Sequence, residues 1–308
     1  MKPRFVYGPV PSRRLGFSLG VDILPFKTCS LDCVYCQLGS SGRTIGRRRA
    51  YFSPRQVLSQ VRAALGSARR VDHITFSGSG EPTLNKNLGR IIRGIKKMTR
   101  VPVAVLTNGT LLTRKDVRAD LIEADVVVPS LDAVMPRLFR AVNRPHSSLE
   151  AGRIIDGLAR FRREFGGQIW LEIMLVRGVN DAPDDIRALK EAIAMIRPDR
   201  IQLNTVVRPP AEASAHPLTT RELDRVRRAL GNKAEVVADF EKESRAWGPG
   251  DLEEAITAVV KRRPVTAADI SASLSRHRDE VLKALGRLLD SGRVRAVRHG
   301  RKTFYEAA

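Results

Sequence analysis

Short runs rich in valine, isoleucine and leucine alternate with longer amphipathic stretches through the first 240 residues, and this pattern leaves few folds open. The runs are FSLGVDIL, VDHITFSG, VPVAVLTNG, ADVVVPSLD, IWLEIMLVRGVND and RIQLNTVV. Between them lie helical patterns such as SPRQVLSQVRAALGSA, NLGRIIRGIKKM, SSLEAGRIIDGLARFRREFG and PDDIRALKEAIAMIRP. Ser53 followed by Pro54 reads as an N-cap with proline at the first helical position. Strand-then-helix repetition predicts an α/β fold with a parallel sheet wrapped by helices. Six strands are too few for the usual eight-stranded barrel, so the expectation is a partial, open (β/α)6 TIM-like barrel. Its ligand site belongs at the C-terminal ends of the strands.

After AWGPG, residues 246–250, the character changes. Gly248, Pro249 and Gly250 suit a boundary, dividing the chain into residues 1–247, the barrel with an N-terminal extension, and residues 248–308. The second part reads as three helices, DLEEAITAVVKRR, TAADISASLS and RDEVLKALGRLLDSG, and then a β-hairpin turning at His299–Gly300. That is the pattern of a small winged-helix domain. Its hairpin, Arg293 to Lys302, carries five basic and no acidic residues, as a wing laid on phosphate would; winged helices also dock proteins.

The chain has 54 basic and 33 acidic residues, a net charge of +21, and the field of such a surface draws polyanions. An arginine-rich solvated surface is the plainer alternative. Residues 1–49 alone hold nine basic and two acidic side chains, including Arg47 to Arg49. No run approaches the length of a membrane span and the start has no apolar signal core, so a cytoplasmic protein without a membrane partner is expected.

All three cysteines, Cys29, Cys33 and Cys36, fall within FKTCSLDCVYCQLG. An odd, clustered set argues for a metal or redox site rather than a disulfide framework. The C-x-x-x-C-x-x-C spacing lets three thiolates from one loop converge on an iron–sulfur cluster. A four-iron cluster held by three cysteines keeps one iron open to a substrate. A structural zinc would need a fourth protein ligand, and none of the five histidines, at positions 73, 146, 216, 277 and 299, lies in the window.

The cysteine loop after the first strand, with Tyr35 directly before the last cysteine, resembles the signature of the radical S-adenosylmethionine superfamily. The resemblance spans about residues 5 to 240 and implies two cofactors, a 4Fe–4S cluster and S-adenosylmethionine. It implies that the cofactor chelates the open iron and is cleaved by an electron from the cluster, yielding methionine and a 5′-deoxyadenosyl radical that abstracts a substrate hydrogen. An electron-donor protein such as flavodoxin or ferredoxin is implied with it. FSGSGEPTL resembles the Gly-Gly-Glu motif that binds the cofactor's amino group. Gly80 and Glu81 match and Ser79 replaces the first glycine, with Gly78 preceding. Small residues let backbone carbonyls approach the ammonium, and Glu81 adds complementary charge.

At later strand ends the resemblance makes candidates of Asn108 in TNG, of Ser130 and Asp132 in PSLDA, and of Asn204 in IQLNTVV. Strand five, ending in LVRGVND, contributes Glu172, with Arg177 and Asn180 as further pocket candidates. Ser130 and Asp132 would meet the ribose hydroxyls or the cofactor carboxylate. Each such residue, taken singly, is also what a helix cap looks like. YGPVPSRRLG followed by LPFKTCSLDCVYCQLG is similar to an uncharacterised group of iron–sulfur oxidoreductases related to the tRNA wyosine-forming enzymes. Those enzymes carry further cysteines for a second cluster, which this chain lacks.

The leading functional expectation is a radical enzyme acting on RNA such as tRNA, with Arg13 and Arg14 binding phosphate near the pocket and the winged helix holding the RNA body. A second keeps the enzyme and makes the substrate a peptide, protein or small molecule. A third is a redox-sensing DNA-binding regulator in which the cluster switches the winged helix. No catalytic acid, base or radical relay is assigned.

Overall fold

The computed structural model describes residues 3–12, 14–68, 70–237, 252–274, 276, 278–300 and 302–308. Arg13, Arg301, His277, and Trp247 with the Gly248–Pro249–Gly250 boundary lie outside the described residues.

The six expected strands are present and parallel: β2 (Gly16–Val21), β3 (His73–Phe76), β4 (Val103–Thr107), β5 (Val126–Pro129), β6 (Gln168–Leu175) and β7 (Arg200–Thr205). They belong to an eight-stranded sheet, not a six-stranded one. β1 (Val6–Ser12) runs antiparallel on β2, and β8 (Ala234–Val236) extends the other edge in parallel. β1 escapes a pattern reading because Gly8, Pro9 and Pro11 look like turn residues. An edge strand tolerates proline, and the register shift between Tyr7 and Val10 accommodates it here. Strand order follows sequence order from β1 to β8, the arrangement of an open TIM-like barrel.

Helices cover the outer face: α1 (Pro54–Ser67), α2 (Leu88–Met98), α3 (Lys115–Leu121), α4 (Pro136–Asn143), α5 (Ala151–Glu164), α6 (Pro183–Ile196) and α7 (Thr220–Leu230). Ser53 occupies the N-cap of α1, but its side chain makes no capping hydrogen bond. Alternation along each strand separates two faces. Ile74, Phe76, Val103, Val105, Val127, Ile169 and Leu171 face the helices in the main core. Ala104, Val126, Val128 and Trp170 face inward, where with Leu15 they fill the N-terminal half of the barrel interior.

Toward the C-terminal strand ends the inward positions turn polar: Ser18, Thr75, Glu172, Gln202 and Asn204. A barrel interior is ordinarily filled with branched apolar side chains, so polar residues there mark the site.

Beyond the barrel lie α8 (Leu252–Val260), α9 (Ala267–Leu274), α10 (Arg278–Asp290) and the antiparallel pair β9 (Val294–His299) and β10 (Lys302–Ala307). Their core, built from residues such as Ile256, Ile270, Val281, Leu285 and Leu288, also includes Tyr7 and Val10 of β1. His299 pairs with Lys302, so the turn falls one residue later than expected, with Gly300 in the left-handed region.

Candidate active site

The cysteine loop leaves β2 and crosses the strand ends. It is pinned by a bridge between Thr28 and Gly80, by Ile45 N–H on Cys29 O, and by Val34 N–H on Val142 O. All three thiols are free and half-buried. Burial, then the neighbouring Glu81, pushes the Cys29 thiol to about 12, and burial with Asp132 nearby raises Cys33 well above the usual range. Asn108 Nδ2 donates to Cys29 Sγ at 3.5 Å, and Asn143 Nδ2 to Cys33 Sγ at 3.4 Å. Lys27 adopts a left-handed φ of 55° and buries its ammonium in the loop. Asp32 Oδ1 lies 3.2 Å away, yet Nζ has no well-aligned hydrogen-bond partner. Burial pulls its pKa down, but the adjacent Cys36 and Asp32 more than offset this and leave it raised.

The GSGE turn follows β3 directly beneath the loop. A Cβ on Gly80 would stand 1.9 Å from Thr28 O, so only glycine lets the two backbones meet. Gly78 has φ +138°, and a Cβ there would stand 2.6 Å from the Asp22 carboxylate. Ser79, in place of a glycine, donates to Asp22 Oδ2 through Oγ at 2.6 Å and N–H at 3.2 Å. Glu81 is buried, and its carboxylate does not line an open wall. Oε1 accepts from Thr83 N–H at 2.9 Å, Thr83 Oγ1 at 2.5 Å and Thr107 Oγ1 at 2.6 Å, and Oε2 accepts from Asn108 N–H at 2.6 Å. Burial raises its pKa in spite of these donors. Glu81 thus ties two strand ends together through these four donors. Asn108 is committed likewise: Nδ2 also donates to Ser30 Oγ, and Oδ1 accepts from Thr110.

Asp132 is a second saturated carboxylate. It accepts from the Tyr35 hydroxyl, from Asn143 Nδ2 at 2.6 Å and from Met174 N–H at 2.8 Å, and burial raises it to about 6. Tyr35 is therefore turned toward the barrel wall, fixing the last turn of the cysteine loop. Ser130, one residue beyond β5, bridges to Glu172 through backbone and stays partly exposed. Asn180 is fully buried and spends its amide on Asp132 O, Met174 O and Val176 N–H, so it shapes the loop rather than the pocket. Arg177 is exposed and pairs with Glu222 at 3.2 Å.

Glu172 and Asn204 do reach open space. With Arg14, Tyr35, Cys36 and Arg208 they line a cavity of about 220 Å³ at the ends of β6 and β7. Asn204 Nδ2 donates to Glu172 Oε1 at 3.1 Å, and Arg14 pairs with Glu172 Oε2. Arg14, expected to bind phosphate, is paired with this carboxylate. Pattern reading missed Lys27, Asp22, Asn143 and Arg262. Asp22 was signalled only by its place at the end of a strand. Arg262 reaches it from beyond α8, with Nε 3.5 Å from Asp22 Oδ2 and NH2 donating to Arg4 O at 2.9 Å.

The fold and this site define the class. Residues 23–191 match the Radical SAM superfamily, and the chain belongs to it. It is an enzyme of that superfamily, using a 4Fe–4S cluster and S-adenosylmethionine. Within it the chain is a UPF0026 protein: it is 31% identical to UPF0026 protein MJ1312 of Methanocaldococcus jannaschii, over 97% of this chain and 94% of that one. It is also 37% identical, over 96% of its length, to a Brachyspira hyodysenteriae protein named GTPase Obg, of which it spans only 44%. This chain has no G-x-x-x-x-G-K-[ST] phosphate loop. A probable dual-specificity RNA methyltransferase RlmN of a Thermotoga species is 28% identical over 70% of this chain and 63% of its own. Among solved structures, Streptococcus suis SuiB bound to precursor peptide SuiA shares the fold, with a TM-score of 0.55 and 15% identity over 80% of this chain and 52% of that one.

The residues present suit the cluster. Asn108 and Asn143 offer N–H to two of the sulfurs, and the buried Lys27 ammonium, ion-paired with Asp32 but without an aligned hydrogen bond, suits an anionic centre beside Cys36. Among the described residues no three His, Cys, Asp or Glu side chains close around a single ion. A cubane instead spreads its thiolates over separate corners. His146 approaches the loop through its N–H on Ser30 O, but its ring turns to Ser148, which disfavours zinc. The redox-regulator reading gains no support from relatives that are enzymes. No helix of the described residues is long and apolar enough to cross a membrane.

Proposed function

We propose that this radical enzyme modifies RNA. The observation that carries the reading is a cleft of about 630 Å³ between the barrel mouth and the C-terminal helices, with Arg4, Lys261, Arg262 and Arg293 on its walls and Ser79 at its floor. Phe26, 64% exposed at its edge, and Phe52 within it add aromatic faces. Cations for phosphate beside rings for bases are what single-stranded RNA asks of a protein. The relative named as an RNA methyltransferase supports the same substrate class.

In this reading Cys29, Cys33 and Cys36 hold the cluster. When bound, cluster and S-adenosylmethionine supply the radical that takes a hydrogen atom from the substrate. The Gly78–Ser79–Gly80 turn presents backbone to the cofactor's amino group, and Ser130, Glu172 and Asn204 face the rest of it. Glu81, Asn108, Asp132 and Tyr35 hold this frame rigid. Residues 248–308 act as a winged-helix domain that grips the RNA, its hairpin anchored at the mouth where His299 Nε2 lies 3.2 Å from Val206 O. Electrons come from a flavodoxin- or ferredoxin-like donor, and the enzyme works in the cytoplasm.

The test is anaerobic reconstitution, reduction, and quantitation of 5′-deoxyadenosine with and without bulk small RNA. Stimulation that falls steeply with salt is expected. Formation indifferent to RNA would overturn the RNA reading and move the substrate to a peptide or small molecule.

A further inference from the structure

The turn that leads into the cysteine loop carries a residue its backbone does not favour. Thr28 N–H donates to Pro25 O at 3.2 Å, closing a β-turn whose third residue is Lys27, with φ 55°. That position asks for glycine or asparagine, because a longer side chain crowds the backbone when φ is positive. A lysine held there points to a use for its side chain. We propose that the Lys27 ammonium faces the iron–sulfur cluster and sets its reduction potential, making the cluster easier to reduce. The proposal goes beyond the RNA reading and rests on the cluster alone, so either can fail without the other.

The Lys27 side chain is only 7% exposed, and burying an ammonium is costly unless its charge is answered. Asp32 answers part of it, with Oδ1 3.2 Å from Nζ. Yet Nζ has no well-aligned hydrogen bond among the described residues, so its N–H donors remain to be used. Burial works against the charge, and the Cys36 thiol is foremost among the groups that sustain it. The ammonium therefore stands beside the last of the three ligands.

Asp32, for its part, does not need the lysine. Its carboxylate accepts from Ser40 Oγ at 2.6 Å, Ser41 N–H at 3.1 Å and Gly42 N–H at 3.2 Å. Those donors turn their positive ends to the carboxylate and offset its field. Neither the turn nor the carboxylate explains a lysine at this position; a negative centre beside Cys36 does.

Each cysteine has a polar neighbour from a different part of the chain. Asn108, after β4, donates to Cys29; Asn143, at the end of α4, donates to Cys33; and Lys27, before the loop, lies by Cys36. Two of these are neutral amides and the third is a full charge. Cluster potentials respond to net charge and to hydrogen bonds at the sulfurs. On reduction the cluster accepts one electron from its donor and becomes more negative by one charge, and no proton is needed in the balance. A fixed cation stabilises the reduced form more than the oxidised one, and in a buried place solvent and salt screen it little.

The experiment is a redox titration of the anaerobically reconstituted full-length protein without S-adenosylmethionine, followed by electron paramagnetic resonance, with iron and sulfide content measured alongside. In Lys27→Met the midpoint should fall by at least a tenfold change in the reduction equilibrium, about 59 mV for one electron. Lys27→Gly, which suits the turn and lacks the ammonium, should fall as far and serves should the methionine variant unfold. Lys27→Arg, which keeps the charge, should stay within half of that shift from wild type. Lys96→Met, whose partner Asp125 lies at the opposite, N-terminal ends of the strands, should leave the midpoint unchanged. The fall should persist at high salt. A wild-type midpoint in either neutral variant with a full cluster, an equal fall in Lys27→Arg or Lys96→Met, or a fall abolished by salt overturns the proposal. Failure of both neutral variants to hold a cluster that Lys27→Arg holds also overturns it, and makes Lys27 a residue of cluster assembly. Stimulation of cofactor cleavage by RNA in the wild-type protein is read separately, and none of these outcomes moves it.

Discussion

Two halves of the barrel mouth are built on opposite plans. Around β2 to β5 the polar groups are closed on one another: Glu81 meets four donors, Asp132 meets three, and Asn108 and Asn143 are tied to the cysteine loop. Around β6 and β7, Arg14, Glu172, Asn204 and Arg208 line open space, and Arg14 pairs with Glu172 there. A cluster and a cofactor demand fixed positions, and buried, fully satisfied networks give rigidity. A substrate needs charge left unspent until it arrives. The difference teaches that a polar residue at a strand end is not thereby a ligand contact; whether its hydrogen bonds are already used decides which half it serves.

The comparison is broken most directly at the cysteines. Cys29→Ala, Cys33→Ala and Cys36→Ala should each abolish cofactor cleavage, read as 5′-deoxyadenosine after anaerobic reconstitution, with loss of the intact cluster in iron content and absorbance. Full turnover by any one of them would refute the three-ligand set. Next comes the joint between the halves. Arg262→Met removes the partner of buried Asp22, the bond to Arg4 O and the stacking over Tyr7, where the guanidinium carbon lies 4.5 Å from the ring centroid. Leaving a buried carboxylate with neutral donors alone should cost about 3 kcal/mol. Because Asp22 holds Ser79, affinity for S-adenosylmethionine should fall as well. Retained stability with unchanged cofactor affinity would mean that the C-terminal helices merely rest on β1.

Much of the first half was legible in the sequence because local spacing dictates it. Three cysteines in one loop and GSGE at the next strand end depend on neighbours along the chain. The six parallel strands were legible for the same reason, through their apolar runs. The rest was hidden by distance. Arg14 and Glu172 are 158 residues apart, and nothing in PSRRLG distinguishes a phosphate-binding arginine from one destined to pair with a carboxylate. Arg262 looks like one of three cations in KRRP until the fold brings it to Asp22. Charge patterning located the basic surplus, but only tertiary packing decides which arginines are consumed.

Glu81→Gln sharpens the rigid half. An amide replaces an acceptor-only group, so its NH2 must confront at least one N–H or hydroxyl donor. The misfit should cost about 2 kcal/mol, seen in thermal unfolding of the apoprotein. Cofactor affinity should drop while cluster absorbance persists; loss of the cluster would instead make Glu81 a support of the cysteine loop itself.

The smallest effect tests whether the tie between loop and barrel resembles the buried networks. Arg48 is buried and crosses from the loop to Thr83 O, Asn85 O, Asp120 and Asp116. Arg114 first, then Arg48, holds the Asp116 carboxyl down at about 2. A depressed carboxyl contributes stability above its unfolded pKa near 3.9 and loses it as pH falls through the folded value, so the contribution is present at pH 5 to 7 and fades between about 4 and 2. Asp116 is about half exposed, and screening holds its worth below about 1 kcal/mol. Asp116→Asn should therefore unfold slightly earlier than wild type in denaturant at pH 6, with the two curves converging as the solution is acidified. A gap that persisted at pH 2 would mean that the side chain acts through packing or neutral hydrogen bonds. Arg48 would then be held by its two carbonyl bonds and Asp120 alone, as closed a joint as those around Glu81.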